Sequence, residues 1–434
     1  MHTRLTSFAV SLTFLVCGQI HAAEARLLPE RASSDDRWII AGTKIYVSPN
    51  APPLENGWVL VADGKIEAVG AAPAMRPAGV RVSSACSNGV ITAGFQNSHV
   101  HLMGAAFTDV AHQPYADVEA ALSGMFTRFG FTTVVDTGSD IRETMAVRRR
   151  VSRGDIKGPA ILTVGNPLYP ENGIPFYLRD LPPEVLEQLA QPATPEEAVA
   201  VVQGNFARGA NGTKLFVVTP QGGGEFKRMS AEVARAAADE AHRLGGFVVA
   251  HPTDPDGVQA AVAAGVDIIA HTTIDPPNSA WSADLIQRMV ARHVAVIPTL
   301  KLWRYELDKA QVPIDIRERI VGDAERQLRA FSDAGGQVLF GTDVGYMTDF
   351  DPTDEYALMA RAGLTPMQIL ASLTTAPAAR WRAGRRRGRI VSGLDADLVV
   401  LNGDPAEDVR DFAAVKCTIR GGREVFIRDG ANGL

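Results

Sequence analysis

Residues 92–102 read TAGFQNSHVHL, Thr92 to Leu102. An apolar run ends in two histidines, His99 and His101, two positions apart. Side chains of a strand alternate with a period of two, so both imidazoles leave the same face. Such a pair grips a metal ion if the rest of the chain brings further donors to it. Otherwise it is two polar residues at a strand end. The fold turns on which of these holds.

Downstream of Gly94, short apolar runs alternate with longer amphipathic ones. FTTVVDTG (131–138) precedes DIRETMAVRRRVSRG (140–154), and PAILTVGN (159–166) precedes TPEEAVAVVQGNFARG (194–209). GTKLFVV (212–218), FVVAH (247–251), VDIIAH (266–271), VAVIPTL (294–300) and QVLFGTD (337–343) continue the series, each followed by a helix-like stretch. Thr194 offers an N-cap with Pro195 at the first helical position and Glu197 for a capping box, and Thr365, Pro366 and Gln368 repeat the device. Gly245 and Gly335 stand where helices should stop. Continuous apolar runs suit a parallel sheet buried on both faces. Counting the run that ends at His99, there are eight strand candidates, the number that closes a (β/α)8 TIM-like barrel.

The flanks have another pattern. WIIAGTKIYV (38–47), GWVLVADGKIEAVG (57–70) and VRVSSACSNGVI (80–91) alternate like antiparallel strands, and the pattern returns after Gly388 in GRIVSGLDADLVVLNGDP (388–405) and AAVKCTIRGGREVFIRDG (413–430). The expected architecture is α/β: a barrel over 91–387 inserted into a small β-sandwich domain built from both chain ends, 26–90 and 388–434. The arginine run RWRAGRRRGR (380–389) reads as a solvated loop.

Residues 1–25 read as a signal peptide. Arg4 supplies the positive start, FAVSLTFLVCG (8–18) the apolar stretch, and HAAEA (21–25) a small-residue zone with cleavage near Ala23 or Ala25. The apolar stretch is shorter than the roughly 20 residues a bilayer span needs. The mature protein is therefore expected to be periplasmic or secreted, with no stable membrane insertion. Its net charge of −6, with both signs interspersed, points to no nucleic-acid partner. Of three cysteines, Cys17 leaves with the leader. Cys86 and Cys417 could pair in an oxidising compartment. Their apolar, strand-like surroundings favour two buried thiols.

Barrels place their chemistry at the C-terminal ends of their strands. Five of the expected strands carry candidate ligands near those ends: His99 and His101, Lys214, His251, His271 and Asp343. Each alone has an ordinary structural explanation. Asp343 could cap a helix, and Lys214 could extend its head to the strand end. Six at one end of one barrel make a metal site the better reading.

The sequence resembles the amidohydrolase superfamily, in particular its imidazolonepropionase-like and dipeptidase-like branch. ITAGFQNSHVHL resembles the His-x-His strand, GTKLF the strand of a carboxylated lysine, and FVVAH, VDIIAH and FGTDVG the later ligand strands. GRIVSGLDADLVVLNGDP resembles the tail that returns to the β-domain. The resemblance implies an enzyme, a metal-dependent amidohydrolase with two divalent metal ions, expected to be zinc by ligand type. His99, His101 and Asp343 would hold one ion and His251 and His271 the other, with carboxylated Lys214 as the bridging ligand. It further implies attack on a carbonyl by a hydroxide shared between the ions, at a C–N bond that is a peptide bond or another amide. Asp343 would carry the proton and His271 would assist.

Loops 165–180, 219–230 and 299–306 are expected to line the mouth, with Tyr169, Gly223, Trp303 and Tyr346 as pocket candidates. The pattern departs from its relatives in two places. No His-Gly pair follows Asp343, and Pro252 follows His251. Both bear on the substrate pocket. The expected substrate is a small-molecule amide, a short peptide or an N-acyl amino acid. The alternatives are a mononuclear cyclic-imide or imidazolone hydrolase or deaminase, and a catalytically inactive exported binding protein. The oligomeric state, a homo-oligomer included, is left open.

Overall fold

The computed structural model describes residues 37–72, 76–181, 183–187 and 189–428. The expected signal peptide lies outside the described residues. Along the chain run β1 (Trp38–Ile45), β2 (Leu54–Ala62), β3 (Lys65–Ala71), β4 (Arg81–Val82), β5 (Gly89–Ala93), β6 (Phe95–Val100), β7 (Phe131–Asp136), β8 (Ala160–Thr163) and β9 (Gly212–Phe216). They are followed by β10 (Val218–Gly222), β11 (Glu225–Arg228), β12 (Phe247–His251), β13 (Ile268–Ala270), β14 (Ala295–Ile297), β15 (Leu398–Leu401), β16 (Val415–Arg420) and β17 (Arg423–Ile427).

Both chain ends do meet in one sheet, ordered β17-β16-β15-β5-β1-β2-β3 with β4 beside β1. Hydrogen bonding runs through it as a single eight-stranded sheet, where the alternation had suggested the two sheets of a sandwich. Asp63 and Gly64 take φ of 49° and 75° between β2 and β3, the left-handed pair that a tight hairpin turn requires. One face buries Trp38, Ile40, Val59, Ile91, Val400 and Ile419; a smaller cluster of Ile39, Trp58 and Leu60 covers part of the other.

The middle of the chain is mixed α/β. β6, β7 and β8 form one parallel sheet and β9, β12, β13 and β14 another, with helices between successive strands. Their edges are joined by isolated bridges, Leu168 to Leu215, Val296 to Val338 and Val100 to Val344. Two details differ from expectation. The first run breaks at Gly94, so that β5 serves the terminal sheet and only β6 the central body. The segment 337–343 is not a regular strand; it makes single contacts, Leu339 N to Val296 O and Ser98 N to Phe340 O. The helix signals at Thr194 and Thr365 both cap: each side chain accepts the amide three residues on, and Gln368 completes its box, whereas Glu197 accepts from Ala193 N instead of from the cap residue.

The arginine run is a correction. Arg387 is buried rather than solvated; it donates to Thr133 Oγ1 at 2.8 Å and lies 3.3 Å from Asp395 and 3.6 Å from Asp397. A guanidinium that pins β7 to the returning tail cannot be told from a surface cation by composition. The cysteines are a second correction. Cys86 and Cys417 are joined by a disulfide, with Cα atoms 5.4 Å apart across a sequence separation of 331. Their apolar surroundings are one and the same cluster, shared because β5, β15 and β16 are neighbours.

Unreduced protein should therefore show no titratable thiol at these positions after denaturation. In the chain-entropy model a loop of this size is worth on the order of 5 kcal/mol. Cys86→Ser should lower the thermal midpoint clearly, and a midpoint unchanged by reduction would contradict a stabilising bridge.

Candidate metal centre

His99 lies inside β6 and His101 one residue beyond its end; His251 ends β12, His271 follows β13, Lys214 sits within β9, and Asp343 ends the irregular segment. The period of two therefore sends both first histidines inward. Asp343 reaches them because Thr342 N and Asp343 N both donate to His99 O. Asn97 fastens the same joint, accepting from Thr342 N and His99 N and donating to Thr342 Oγ1.

Asp343 is the hub. Its Oδ1 lies 3.1 Å from His101 Nε2 and 3.4 Å from His99 Nε2, and its Oδ2 lies 3.9 Å from His271 Nδ1. The ring centroids of His99 and His271 are 4.7 Å apart and those of His271 and His251 4.9 Å. Donor atoms of His99, His271 and Asp343 all fall within 4.8 Å of one another. Lys214 is buried beside them, its Nζ 5.3 Å from the Phe216 ring, which in turn stacks on His251.

Burial sets the electrostatics. It pushes His99 and His251 down to about 3, with the Lys214 charge adding to the effect. It also pushes Lys214 down to about 8. Burial alone would raise the Asp343 carboxyl, but the surrounding imidazoles outweigh it and hold the group well below the usual carboxylate range. His101 moves the other way: burial lowers it, and the neighbouring Asp343 carboxylate more than compensates.

This donor set fits a cation. His101 Nδ1 lies 2.8 Å from the carbonyl of Gly138, which can only accept, so that nitrogen carries a proton, and without a second proton or a metal ion Nε2 would turn a lone pair toward Asp343. Two lone pairs facing each other across 3.1 Å need a positive charge between them, a proton or a metal ion. Both ring nitrogens of His99 and Oδ1 of Asp343 are buried without a hydrogen-bond partner. Leaving such groups unmatched costs about 1–3 kcal/mol each.

The expected pocket residues divide. Trp303 faces His271 with ring centroids 6.0 Å apart, and its Nε1 donates to Thr272 Oγ1. Tyr346 bonds Glu306 and meets Tyr177 edge-on at 5.8 Å. Tyr169 is buried and stacks behind Phe216. Gly223 is exposed at the tip of the β10–β11 hairpin. Tyr177, half-buried, was not singled out from sequence; its ring meets Tyr346, and burial raises its phenol, with the nearby tyrosines and Asp343 adding to the effect. Asp136 was also missed. Its buried carboxylate takes Ser139, Thr144 and Thr163 hydroxyls at 2.6, 2.7 and 3.0 Å, fixing the turn whose Gly138 carbonyl holds His101. A cavity of about 620 Å³ opens at the other strand ends, lined by Phe247, Asp267, Val294 and Gln337. Arg380 fills its polar side, bonding Gln337 and His293 O.

Comparison with known proteins matches residues 90–425 to the amidohydrolase family. An uncharacterized protein of Mycobacterium tuberculosis is 31% identical over 194 residues, 41% of this chain and 47% of that protein. Ochratoxinase of Aspergillus niger is 24% identical over 231 residues, 51% of this chain and 47% of its own. The chain thus spans about half the length of the curated relatives it matches. The ochratoxinase crystal structure superposes with a TM-score of 0.73 at 20% identity, covering 92% of this chain and 98% of that one. A Xaa-Pro dipeptidase crystallised with methionine in its active site gives 0.76 at 20% identity, covering 90% and 99%. These structural likenesses indicate a TIM-barrel-like fold with an additional domain.

A divalent cation should raise the thermal midpoint of protein stripped with a chelator. At a concentration a hundred times the dissociation constant the gain is about 2.7 kcal/mol. His99→Ala should abolish the shift; a shift of full size in that variant would place the ion elsewhere.

Proposed function

The chain belongs to the amidohydrolase family, and from that premise we propose that it is an exported, metal-dependent hydrolase cleaving an amide bond of a peptide-like or N-acyl amino acid substrate. The observation that carries the reading is the buried Asp343 carboxylate faced by the imidazole nitrogens of His101 and His99. The joints between the two parallel sheets support a closed barrel of eight βα units around it. His99, His101 and Asp343 would hold one divalent ion, zinc by ligand type, and His251 and His271 a second. Lys214, buried among them, would bridge as a carbamate, which turns a costly buried cation into an oxygen ligand. The substrate class draws support from the names of two relatives, a Xaa-Pro dipeptidase and an ochratoxinase. Export draws support from the disulfide, which persists in oxidising compartments.

When bound, the ions supply Lewis-acid polarisation of a carbonyl and lower the pKa of water from 15.7 toward ~7. The chain's own residues do the rest. Asp343, held as a carboxylate, accepts the proton of the attacking water. It then delivers that proton to the leaving nitrogen. General acid–base help of this kind contributes about 10²–10⁴ in rate. Trp303, Tyr177 and Tyr346 wall the approach and exclude bulk water.

A one-ion centre is the second reading. It is favoured by the compact group His99, His271 and Asp343, which takes donors from both proposed ion sites. Metal content separates the two: near two ions per chain, with activity lost in Lys214→Ala, supports the bridged pair. Near one ion, with activity kept, supports the other. Asp343→Asn should leave folding nearly intact and reduce kcat at least about a hundredfold on a dipeptide and N-acyl amino acid panel. Metal-loaded wild-type protein that turns over no member of that panel would sink the amidase proposal and return the chain to a binding role.

A further inference from the structure

Three residues at neighbouring strand ends, His271, Thr299 and Asp343, hold φ of 76°, 43° and 63°. Left-handed backbone is unfavourable for residues with a Cβ, most of all for a β-branched one, and persists where the surroundings over-determine it. Thr299 is buried just ahead of the helix Leu300–Lys309. Its hydroxyl donates to Pro298 O at 2.9 Å and lies 2.6 Å from His271 Nδ1. The short contact with Thr299 pins the His271 ring at Nδ1 and biases which ring nitrogen carries the proton.

What holds Thr299 comes from another element. The next two amides, of Leu300 and Lys301, donate to Glu355 Oε1 and Oε2 at 3.0 and 2.7 Å. Glu355 is fully buried on the helix Thr353–Arg361, and a carboxylate suits the positive end of the helix it caps. Lys301 reaches back to the segment leading from Asp343, with Nζ 2.8 Å from Asp349 Oδ2 and 2.5 Å from Asp351 O. The helix start that carries Thr299 is thus tied to the chain that carries Asp343.

We propose that Glu355 is a positioning residue: through the amides of Leu300 and Lys301 it holds Thr299 left-handed, and Thr299 fixes the orientation of the His271 ring at the metal centre through its short contact with Nδ1. The proposal rests on the metal-centre reading above, and its test includes a readout that does not. Co(II) is the probe, followed by competition with a chelator and by visible absorption. The ring nitrogens of His271 are followed by ¹⁵N NMR in metal-free protein. Glu355→Asp, which withdraws the carboxylate by one methylene, should weaken Co(II) binding about 10–100-fold, the effect usual for partners one step behind a ligand. It should also alter the absorption bands and spread the His271 proton over both nitrogens. Thr299→Val should do the same, and Thr299→Ser should restore wild-type behaviour. A lowered melting temperature with unchanged affinity, spectrum and tautomer would make Glu355 merely structural and overturn the proposal. If wild-type protein binds no Co(II), the metal reading fails. The tautomer shift in Thr299→Val and Glu355→Asp then still decides whether the positioning holds.

Discussion

A carboxylate sealed inside a protein among unprotonated imidazole nitrogens is not stable by itself. Asp343 lies 3.1 Å from His101 Nε2, whose other nitrogen has already spent its proton on Gly138. Electrostatics demands a positive charge in that gap. Much of the rest of the molecule is arranged so that the demand is met at one place, by donors that cannot rotate away from it.

The arrangement has two layers. Strand period and strand order bring the donors together from positions as far apart as His99 and Asp343. Behind them, partners with no metal-ligating role fix each ring: Gly138, held by the Asp136 hydroxyl network, orients His101, and Thr299 orients His271. The backbone strain at His271, Thr299 and Asp343 belongs to this second layer. Further out, buried Arg387 and the Cys86–Cys417 disulfide bind the terminal sheet together and to the central body, so the first and last strands of the chain support the same frame.

Features with a strong local cause were readable from sequence. The spacing of His99 and His101 needs only the pleat of a strand. The helix starts at Thr194 and Thr365 need only a hydroxyl and an amide three residues on. The pairing of both chain ends followed from matching alternation. Features with a long-range cause were not readable. Tyr177 and Tyr169 occur in the same loop, and only the fold shows that the first meets Tyr346 while the second packs behind Phe216. Arg387 looks like its neighbours in an arginine run until Asp395, Asp397 and Thr133 surround it.

Residue type and spacing alone determined the α/β alternation, the shared terminal sheet and the six candidate donors, because each depends on periodicities a few residues long. The tertiary structure decided the pairing of the two cysteines, the single-sheet form of the terminal domain and the partners that hold His101 and His271. Those depend on which groups lie opposite one another across hundreds of residues. The hydrogen bonds that the amides beside Thr299 donate to Glu355 have no trace in local sequence, since their two ends meet only after the central strands have taken their order.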